Sequence, residues 1–290
     1  MCNMQLERVN QIKESVEQAD FVLVGLGEEW ILSDEEILDD LIDKDVVLKQ
    51  IMQHVTEEMN DLALKELCVA YYYENYIPKK LEKAYGNLLH MISKKNYYIV
   101  SLAVDSYLIK TGFDKDKIVN PCGTYKLIQC TDACENELLP SDSMLEAFGK
   151  VLNRNREIEL NEQTVKKIVA ECTDILGQHR CGKCHKAMVY NQLGCGQYLE
   201  AGYLDNWQRY MKWLQGTLNR HLCVIEAGVG MKLPTVIRWP FEKTVFYNQK
   251  SNMIRIHEKY YQVNQEVSER SFGCKCNAVR LFCEENLEAF

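Results

Sequence analysis

The chain has 290 residues, of which 47% are hydrophobic and 26% charged, the composition of an ordinary soluble globular protein. A formal net charge of −8 argues against the basic surface that nucleic-acid binding requires, so we expect no nucleic-acid partner. No apolar run approaches the roughly 18 residues of a membrane-spanning helix, and the first residues carry no signal-peptide pattern. We therefore expect a cytoplasmic protein without a membrane partner, whose 13 cysteines are reduced thiols or metal ligands.

The first part of the chain predicts a helix, a strand and then a long helical stretch. Apolar residues recur at helical spacing from Leu6 to Ala19, and residues 21–25 then form a short apolar strand that ends in glycine. Ser33 with Glu36 has the sequence of a capping box at a helix start. From there to about Lys95 the pattern is helical, including a run of tyrosines (71–73 and 76) that we expect to lie partly in the core and partly on the surface.

Three further apolar segments predict buried strands, at residues 97–104, 221–227 and 253–256. Apolar strands that alternate with helices indicate an α/β protein with a parallel sheet. Between the first and second of these segments lies a cysteine-rich region, so we expect that region to be inserted into the α/β domain.

The cysteine-rich region contains two close pairs, Cys130 with Cys134 and Cys181 with Cys184. Two such pairs can supply the four thiolates of a tetrahedral zinc site, which leaves no open position for catalytic water. A gap of 46 residues separates the pairs, where a compact zinc ribbon has roughly 15–20, so we expect an insertion in the module. Chance proximity is the alternative, and His179 or His185 could replace a cysteine as ligand or lie on the surface.

Glycine turns follow two of the predicted strands. Gly25 and Gly27 flank the end of the first strand, and the run Gly228, Val229, Gly230 follows a later one. Such turns bind nucleotides at the carboxyl edge of a doubly wound sheet, although glycine after a strand is often plain turn chemistry. Two turns at the ends of two apolar strands favour a ligand crevice between them.

The sequence resembles the sirtuin family, and most of all its bacterial, macrodomain-linked branch of ADP-ribosyltransferase-like proteins. Residues 111–114 and 121–130 are similar to that branch's segment leading into the zinc module. Residues 227–230, followed by the run 234–242 (Pro-Thr-Val-Ile-Arg-Trp-Pro-Phe-Glu), are similar to the family's late glycine turn and the branch's specific motif. The match in register extends from Phe21 to Arg280 and is strong from about Tyr97 onward.

This resemblance implies a Rossmann-like large domain (residues 1–121 and 191–290) with helices on both faces of its sheet and a helical insertion at about 35–95. It also implies a small inserted zinc-binding domain (122–190) and NAD bound between the two domains. The implied reaction is NAD cleavage with transfer of ADP-ribose to a protein side chain or to a deacylated lysine. Implied partners are a protein substrate and a macrodomain or lipoyl-carrier protein.

Four positions depart from the family pattern, which implies a degenerate NAD site. The phosphate-binding Gly-Ala-Gly-x-Ser loop is replaced by residues 25–30, whose Glu28 and Glu29 would repel a phosphate by roughly 1–4 kcal/mol at about 4 Å. Of the Gln-Asn-x-Asp group only Asp105 remains, in the run 102–105 (Leu-Ala-Val-Asp). Cys122 stands where the family has its histidine base, and His257 where it has an adenine-ribose asparagine.

These residues leave several roles open. Cys122 and Asp105 are the candidate catalytic groups, although Cys122 is alternatively a buried thiol without a reactive role. The candidate cofactor-binding residues are the glycine-turn residues with Arg238 and His257. We expect Arg238 to form a structural ion pair, with Glu242 or Asp105 as partner.

The hypotheses for function are accordingly three. The first is an NAD-dependent ADP-ribosyltransferase or deacylase with a degenerate active site, and the second is a catalytically inactive scaffold that binds a partner protein or a different nucleotide. The direction of the side chains of Glu28 and Glu29 discriminates between them, because carboxylates inside the cleft would exclude NAD. A third, weaker hypothesis is a redox sensor, which requires Cys274 and Cys276 to be paired and exposed.

Overall fold

The computed structural model describes residues 2–59, 61–134 and 136–284, with side chains from residue 8 onward. In this part of the chain the strands are β1 (Phe21–Leu26), β2 (Asn96–Ser101), β3 (Ile118–Val119), β4 (Gly123–Cys130), β5 (Leu139–Pro140), β6 (Met188–Gln192), β7 (Leu222–Ala227), β8 (Ser251–Ile256) and β9 (Ser271–Cys274). The α-helices are α1 (Cys2–Gln18), α2 (Asp34–Asp40), α3 (Val46–His54), α4 (Leu62–Asn75), α5 (Lys79–Ile92), α6 (Tyr107–Lys110), α7 (Asp142–Arg154), α8 (Glu162–Gln178), α9 (Ala201–Gly216), α10 (Arg238–Tyr247) and α11 (Ala278–Phe282). No helix in these residues is long and apolar enough to cross a membrane.

Six strands form one parallel sheet in the order β3-β2-β1-β7-β8-β9. Numbered along the chain within this sheet, the order is 3-2-1-4-5-6, which is the arrangement of a Rossmann fold. From β1 the chain adds strands β2 and β3 on one side, and it then returns to add β7, β8 and β9 on the other side, so the strand order reverses between β1 and β7. Phe21 in β1 accordingly pairs with Asn96 in β2 and with Leu222 in β7. The sequence-based prediction of an α/β fold with a parallel sheet is confirmed.

Helices cover both faces of this sheet, which explains why its strands are mostly apolar. In β1, Val22 and Val24 face a core shared with α1 and with the helices between β1 and β2, whereas Leu23 faces a second core with α9 and α10. Successive side chains of a strand point to opposite faces, so an apolar residue is needed at every position.

The helices between β1 and β2 begin at the predicted capping box. The Ser33 hydroxyl accepts a hydrogen bond from the Glu36 amide, and the Glu36 carboxylate accepts one from the Ser33 amide. The three adjacent tyrosines, Tyr71 to Tyr73, lie in α4 and are buried, as expected for core residues.

A second, antiparallel sheet with the order β5-β4-β6 forms the small lobe, defined here as residues 122–192. The small lobe lies in sequence between β3 and β7 of the parallel sheet, so it is an insertion into the α/β domain, as predicted. Helices α7 and α8 fill the gap between the two cysteine pairs and pack on α3 and α4. The boundaries predicted for the two domains remain a prediction.

Candidate functional site

The two glycine turns lie side by side at the carboxyl edge of the parallel sheet, where its strand order reverses. One follows β1 and the other follows β7, which are hydrogen-bonded neighbours with Leu26 opposite Ala227. In open α/β sheets this position is the usual ligand crevice. The structure therefore brings together the two turns that the sequence singled out.

Each glycine of these turns accommodates another part of the same chain. A Cβ atom on Gly27 would lie 2.2 Å from the carbonyl oxygen of Gly228, and one on Gly228 would lie 2.6 Å from Cβ of Glu29. A Cβ atom on Gly25 would lie 2.4 Å from Cγ2 of Ile237. The glycines thus allow close packing of the two turns, and their role in cofactor binding remains a prediction.

Glu28 directs its carboxylate into the turn that follows β7. Its Oε2 accepts a hydrogen bond of 2.6 Å from the Gly230 amide, and its Oε1 accepts one of 3.2 Å from the Lys232 amide. Backbone amides in turns can bind anions in this way. In this protein the anion is the chain's own carboxylate, with one amide on each of its two oxygens.

Glu29 binds a second pair of backbone amides on the other side of the crevice. Its Oε2 accepts a hydrogen bond of 2.6 Å from the amide of Ala278, the first residue of α11, and its Oε1 accepts one of 3.0 Å from the Glu258 amide. The two glutamates thus bind four backbone amides in the segments that follow β7, β8 and β9, and Glu28 also lines the cleft described below.

Trp30 anchors the loop that carries the two glutamates. Its indole Nε1 donates a 3.1 Å hydrogen bond to the carbonyl oxygen of Ala227, and the side chain is 1% exposed. The indole packs on Tyr85 and Phe282, with ring centroids 4.7 and 5.8 Å away. A fully buried indole with a satisfied N–H fixes the position of the loop, and with it the directions of Glu28 and Glu29.

An open cleft of about 390 Å³ remains beside the two turns, between the sheet edge and the small lobe. Its walls are mostly apolar and come from the segments after β1, β2, β6 and β7. The lining residues are Glu28, Ile31, Leu32, Ser33, Leu102, Val104, Cys122, Gln192, Leu193, Lys232 and Leu233.

Cys122 lies in the wall of this cleft and is 6% exposed. Burial, together with the charge of Glu28, raises the pKa of its thiol to about 11. At neutral pH the group is therefore a protonated thiol, whereas a nucleophilic cysteine needs a depressed pKa. These facts favour the interpretation as a buried thiol, and the catalytic role stays a prediction.

Asp105 is bound by a backbone amide of its own loop. Its Oδ1 accepts a 2.8 Å hydrogen bond from the Tyr107 amide. Burial raises the pKa of its carboxyl group to about 6, against the opposing effect of the amide hydrogen bonds and of Lys110. The preceding Leu102 and Ala103 are buried and offer no polar side-chain atom.

The prediction that Arg238 forms an ion pair with Glu242 or Asp105 was wrong. Within the described residues its guanidinium instead donates to the carbonyl oxygens of Val229, at 2.8 Å, and Tyr260, at 2.5 Å. Burial and the neighbouring Arg255 lower its pKa. Arg238 therefore ties the turn after β7 to the loop after β8, which is a structural role at the edge of the crevice.

His257 lies in that same loop after β8 and is 8% exposed. Its Nδ1 accepts hydrogen bonds from the amides of Lys259 (2.9 Å) and Tyr260 (3.2 Å), so the neutral ring carries its proton on Nε2. Burial lowers its pKa, which favours the neutral form. Although Nδ1 lies 3.4 Å from Oε1 of Glu29, we do not interpret this contact as an ion pair.

One buried charge network near the crevice was not predicted from the sequence. Arg255 in β8 and Glu226 in β7 are neighbours across the sheet and form two hydrogen bonds of 2.6 and 3.1 Å. Arg255 also donates to Glu242 at 2.8 Å. A charged residue inside each of two apolar strands was the available signal, because such charges require partners.

The four predicted metal ligands form one cluster in the small lobe, with all four sulfur atoms within 4.8 Å of one another. The contacts of Cys134 with the sulfur atoms of Cys130, Cys181 and Cys184 are 3.5, 3.3 and 3.6 Å. Four thiolates around zinc lie about 3.8 Å apart, given a Zn–S distance of about 2.3 Å. The geometry fits a structural zinc site with these four residues as ligands.

The two histidines considered as alternative ligands are not part of this cluster. His179 instead lies near Ser143, with Nε2 3.4 Å from its hydroxyl oxygen, and its Nδ1 is 2.8 Å from the carbonyl oxygen of Ile175. His185 adopts a left-handed backbone conformation (φ 60°) directly after Cys184, and so closes the turn of the second cysteine pair.

The crevice in this arrangement does not fit the pyrophosphate of NAD. Four backbone amides near the turns, those of Gly230, Lys232, Glu258 and Ala278, are already bound by carboxylates. A diphosphate would have to displace both carboxylates or lie beside them as a like charge.

Comparison with known proteins gives two curated relatives, whereas no protein-family model matches. A protein ADP-ribosyltransferase of Staphylococcus aureus is 21% identical over 203 residues, which are 68% of this chain and 58% of the relative. A probable bifunctional ADP-ribose hydrolase/ADP-ribosyltransferase of Fusarium oxysporum f. sp. cubense is 23% identical over 155 residues, 52% of this chain and 24% of the relative. The chain thus spans little more than half the length of the first relative and about a quarter of the second.

Solved structures show that the fold is that of the Sir2 sirtuins. A mutant Sir2 homologue in complex with ADP-ribose superposes with a TM-score of 0.53 at 12% identity, covering 96% of this chain and 94% of that chain. A Sir2 homologue in complex with NAD gives 0.51 at 11% identity, covering 96% and 93%. The resemblance inferred from the sequence is confirmed for the fold, and the names of the curated relatives agree with the ADP-ribosyltransferase branch.

Proposed function

We propose that this Sir2-like protein is a binding scaffold whose crevice is closed to NAD by its own carboxylates, so that it does not consume NAD in this state. The observation that carries the proposal is the pair of glutamates after β1. Glu28 and Glu29 together accept hydrogen bonds from four backbone amides around the crevice.

The energetics of this closure favour the internal carboxylates over an external phosphate. A hydrogen bond to a charged group contributes roughly 1.5–3 kcal/mol, and the loop that carries the glutamates is already ordered by Trp30. A ligand would have to break these bonds and bear the ordering cost of binding as well. Mutual repulsion at about 4 Å adds roughly 1–4 kcal/mol against a phosphate that enters with the carboxylates in place.

The side chains that line the remaining cleft indicate the kind of partner it accepts. Apolar groups from three segments, among them Ile31, Leu102 and Leu193, face a space of about 390 Å³. The polar groups Gln192 and Lys232 lie at the same walls. A segment of a partner protein with an apolar side chain and backbone amides suits such a cleft, and it needs no phosphate cradle.

A second candidate function is NAD-dependent ADP-ribosyl transfer, which the similarity to the curated ADP-ribosyltransferase of Staphylococcus aureus favours. This function requires the loop of Glu28 and Glu29 to move away from the amides. We derive no catalytic step for it, because the residues in their present arrangement do not hold the cofactor.

Calorimetric titration of NAD and of ADP-ribose into the zinc-loaded protein tests the proposal. We expect no binding up to millimolar concentration for the wild type, and measurable binding of both ligands for the double variant Glu28→Ala with Glu29→Ala. The matched control is Glu35→Ala, which removes an exposed acid from the next helix and should behave as the wild type.

The outcomes separate the two candidates. Micromolar binding of NAD to the wild type would refute the closed crevice and favour the transferase. If neither the wild type nor the folded double variant binds, the glutamates are not what excludes NAD, and the stated mechanism of closure is wrong.

A further inference from the structure

Two thiols lie in contact at the end of the parallel sheet, outside the zinc cluster. Cys274 is the last residue of β9, Cys276 lies in the short loop before α11, and their sulfur atoms are 3.3 Å apart. A disulfide bond is about 2.05 Å long, so the two sulfur atoms need to approach by little more than 1 Å. The redox-sensor hypothesis requires both thiols to be exposed, and the structure meets this requirement only in part, because Cys276 is half-buried and Cys274 is buried.

The surroundings make the two thiols unequal. Either thiol can donate the hydrogen bond between the two sulfur atoms. This bond, together with the charge of Arg8, lowers the pKa of Cys274 against the effect of burial. The same bond and burial raise the pKa of Cys276. Cys274 is therefore the better nucleophile, and Cys276 holds the proton that the reaction must release.

We propose that Cys274 and Cys276 are a redox modification site that forms a reversible disulfide with a hydroperoxide as the oxidant. The Cys274 thiolate attacks the peroxide and becomes a sulfenic acid, and the distal oxygen leaves as hydroxide or alkoxide. The Cys276 sulfur then attacks Cys274, its proton goes to the departing hydroxyl group, and water leaves. In total two thiols lose two electrons and two protons, and the hydroperoxide is reduced to water and an alcohol or a second water.

The site is coupled to the crevice through the segment that holds Glu29. The carbonyl oxygen of Cys274 accepts a 3.2 Å hydrogen bond from the His257 amide, and the Ala278 amide, two residues after Cys276, binds Glu29. Closing the disulfide draws the loop between these two contacts together. The oxidised form consequently holds Glu29 less tightly, a consequence that rests on the proposed closure of the crevice.

Peptide mapping of the peroxide-treated, zinc-loaded protein tests the disulfide itself. Lys275 lies between the two cysteines, so trypsin separates them into residues 271–275 and 276–280 unless a disulfide joins the two peptides. We expect the joined peptide to form after treatment with hydrogen peroxide and to disappear after reduction. It should not form in Cys274→Ser or in Cys276→Ser. The control Cys283→Ser removes a neighbouring half-buried thiol and should leave the joined peptide unchanged.

Two results would overturn the proposal: separate peptides after oxidation of the wild type, or a joined peptide that links either cysteine to the zinc cluster.

The coupling has its own readout, which is amide hydrogen exchange in residues 25–30. We expect faster exchange there in the oxidised wild type and not in oxidised Cys276→Ser, and an unchanged rate would refute the coupling. Because neither readout involves NAD, a failure here is distinguishable from a failure of the proposed function.

Discussion

At the scale of single residues, the direction of two carboxylates decides how the crevice is interpreted. The sequence places Glu28 and Glu29 after a glycine turn and leaves open whether their side chains face the cleft or solvent. The structure shows both carboxylates on backbone amides, at distances between 2.6 and 3.2 Å. Neither partner loop is near in sequence, so local pattern alone could not determine the direction.

The residue Asp105 gives a pH-dependent prediction. Its pKa is raised by burial to about 6, from an ordinary value of 3.8, so folding favours its protonated form. Below about pH 4 the carboxyl group is protonated in both the folded and the unfolded chain, and the folded protein bears no cost for a buried charge. As the pH rises through about 6 the group ionises in the folded protein, and this part of the stability is lost. We expect Asp105→Asn, which keeps an oxygen for the Tyr107 amide, to be more stable than the wild type at neutral pH by at most about 3 kcal/mol.

Urea unfolding of the two proteins at several pH values measures this difference. The gap between Asp105→Asn and the wild type should shrink towards zero at about pH 4. Loss of zinc in acid affects both proteins alike and cancels in the comparison. A gap that is constant with pH would show that Asp105 does not titrate with a raised pKa.

At the scale of secondary structure, the elements with a strong local signal were predicted and the others were not. The apolar strands β1, β2, β7 and β8 and the capping box at Ser33 follow directly from the sequence. The strands of the small lobe and β9 are short or half-exposed, and their pairing depends on residues far away in sequence. The same limit applies to the site: glycine turns and cysteine pairs were evident, whereas the partners of Arg238 and Arg255 were not.

The cysteine cluster shows how an insertion can preserve a metal site. The long gap between the pairs is occupied by the hairpin of α7 and α8, while β4 and β6 bring the pairs together. Backbone amides of Cys184 and Lys183 lower the pKa of Cys181 to about 6, an arrangement that stabilises a thiolate ligand. The insertion therefore adds a helical hairpin while the four sulfur atoms still lie within 4.8 Å of one another.

Replacing one ligand tests the zinc site. We expect Cys181→Ser to lose most of its bound zinc and to melt at a lower temperature, because the site then lacks one of four ligands and metal binding contributes to folding. Elemental analysis and thermal unfolding measure both effects. The matched control is Cys195→Ser, a half-buried thiol outside the cluster. Unchanged metal content and melting temperature in Cys181→Ser would disprove the site.

At the scale of the whole molecule, the helical insertions connect the small lobe to the parallel sheet. Helices α4 and α7 come from different insertions and pack together, with Phe148 fully buried and its ring 5.3 Å from that of Tyr71. Gly149 allows this contact, because a Cβ atom there would lie 3.0 Å from the Tyr71 ring. A shared core of this kind predicts that the two parts unfold together.

The variant Phe148→Ala tests whether this core makes the molecule one cooperative unit. Removing a buried phenylalanine should lower the free energy of unfolding by about 3–5 kcal/mol. All four tryptophans lie outside the small lobe, so their fluorescence reports on the part containing the parallel sheet, and zinc release to a chromogenic chelator reports on the small lobe. In denaturant we expect both signals to change at one midpoint in the wild type, and at one lower midpoint in the variant.

If zinc were released well before the fluorescence changed, the lobes would be independent, and movement of the small lobe could then open the crevice without unfolding the sheet. Coincident midpoints would instead leave the loop of Glu28 and Glu29 as the element that has to move for a ligand to enter.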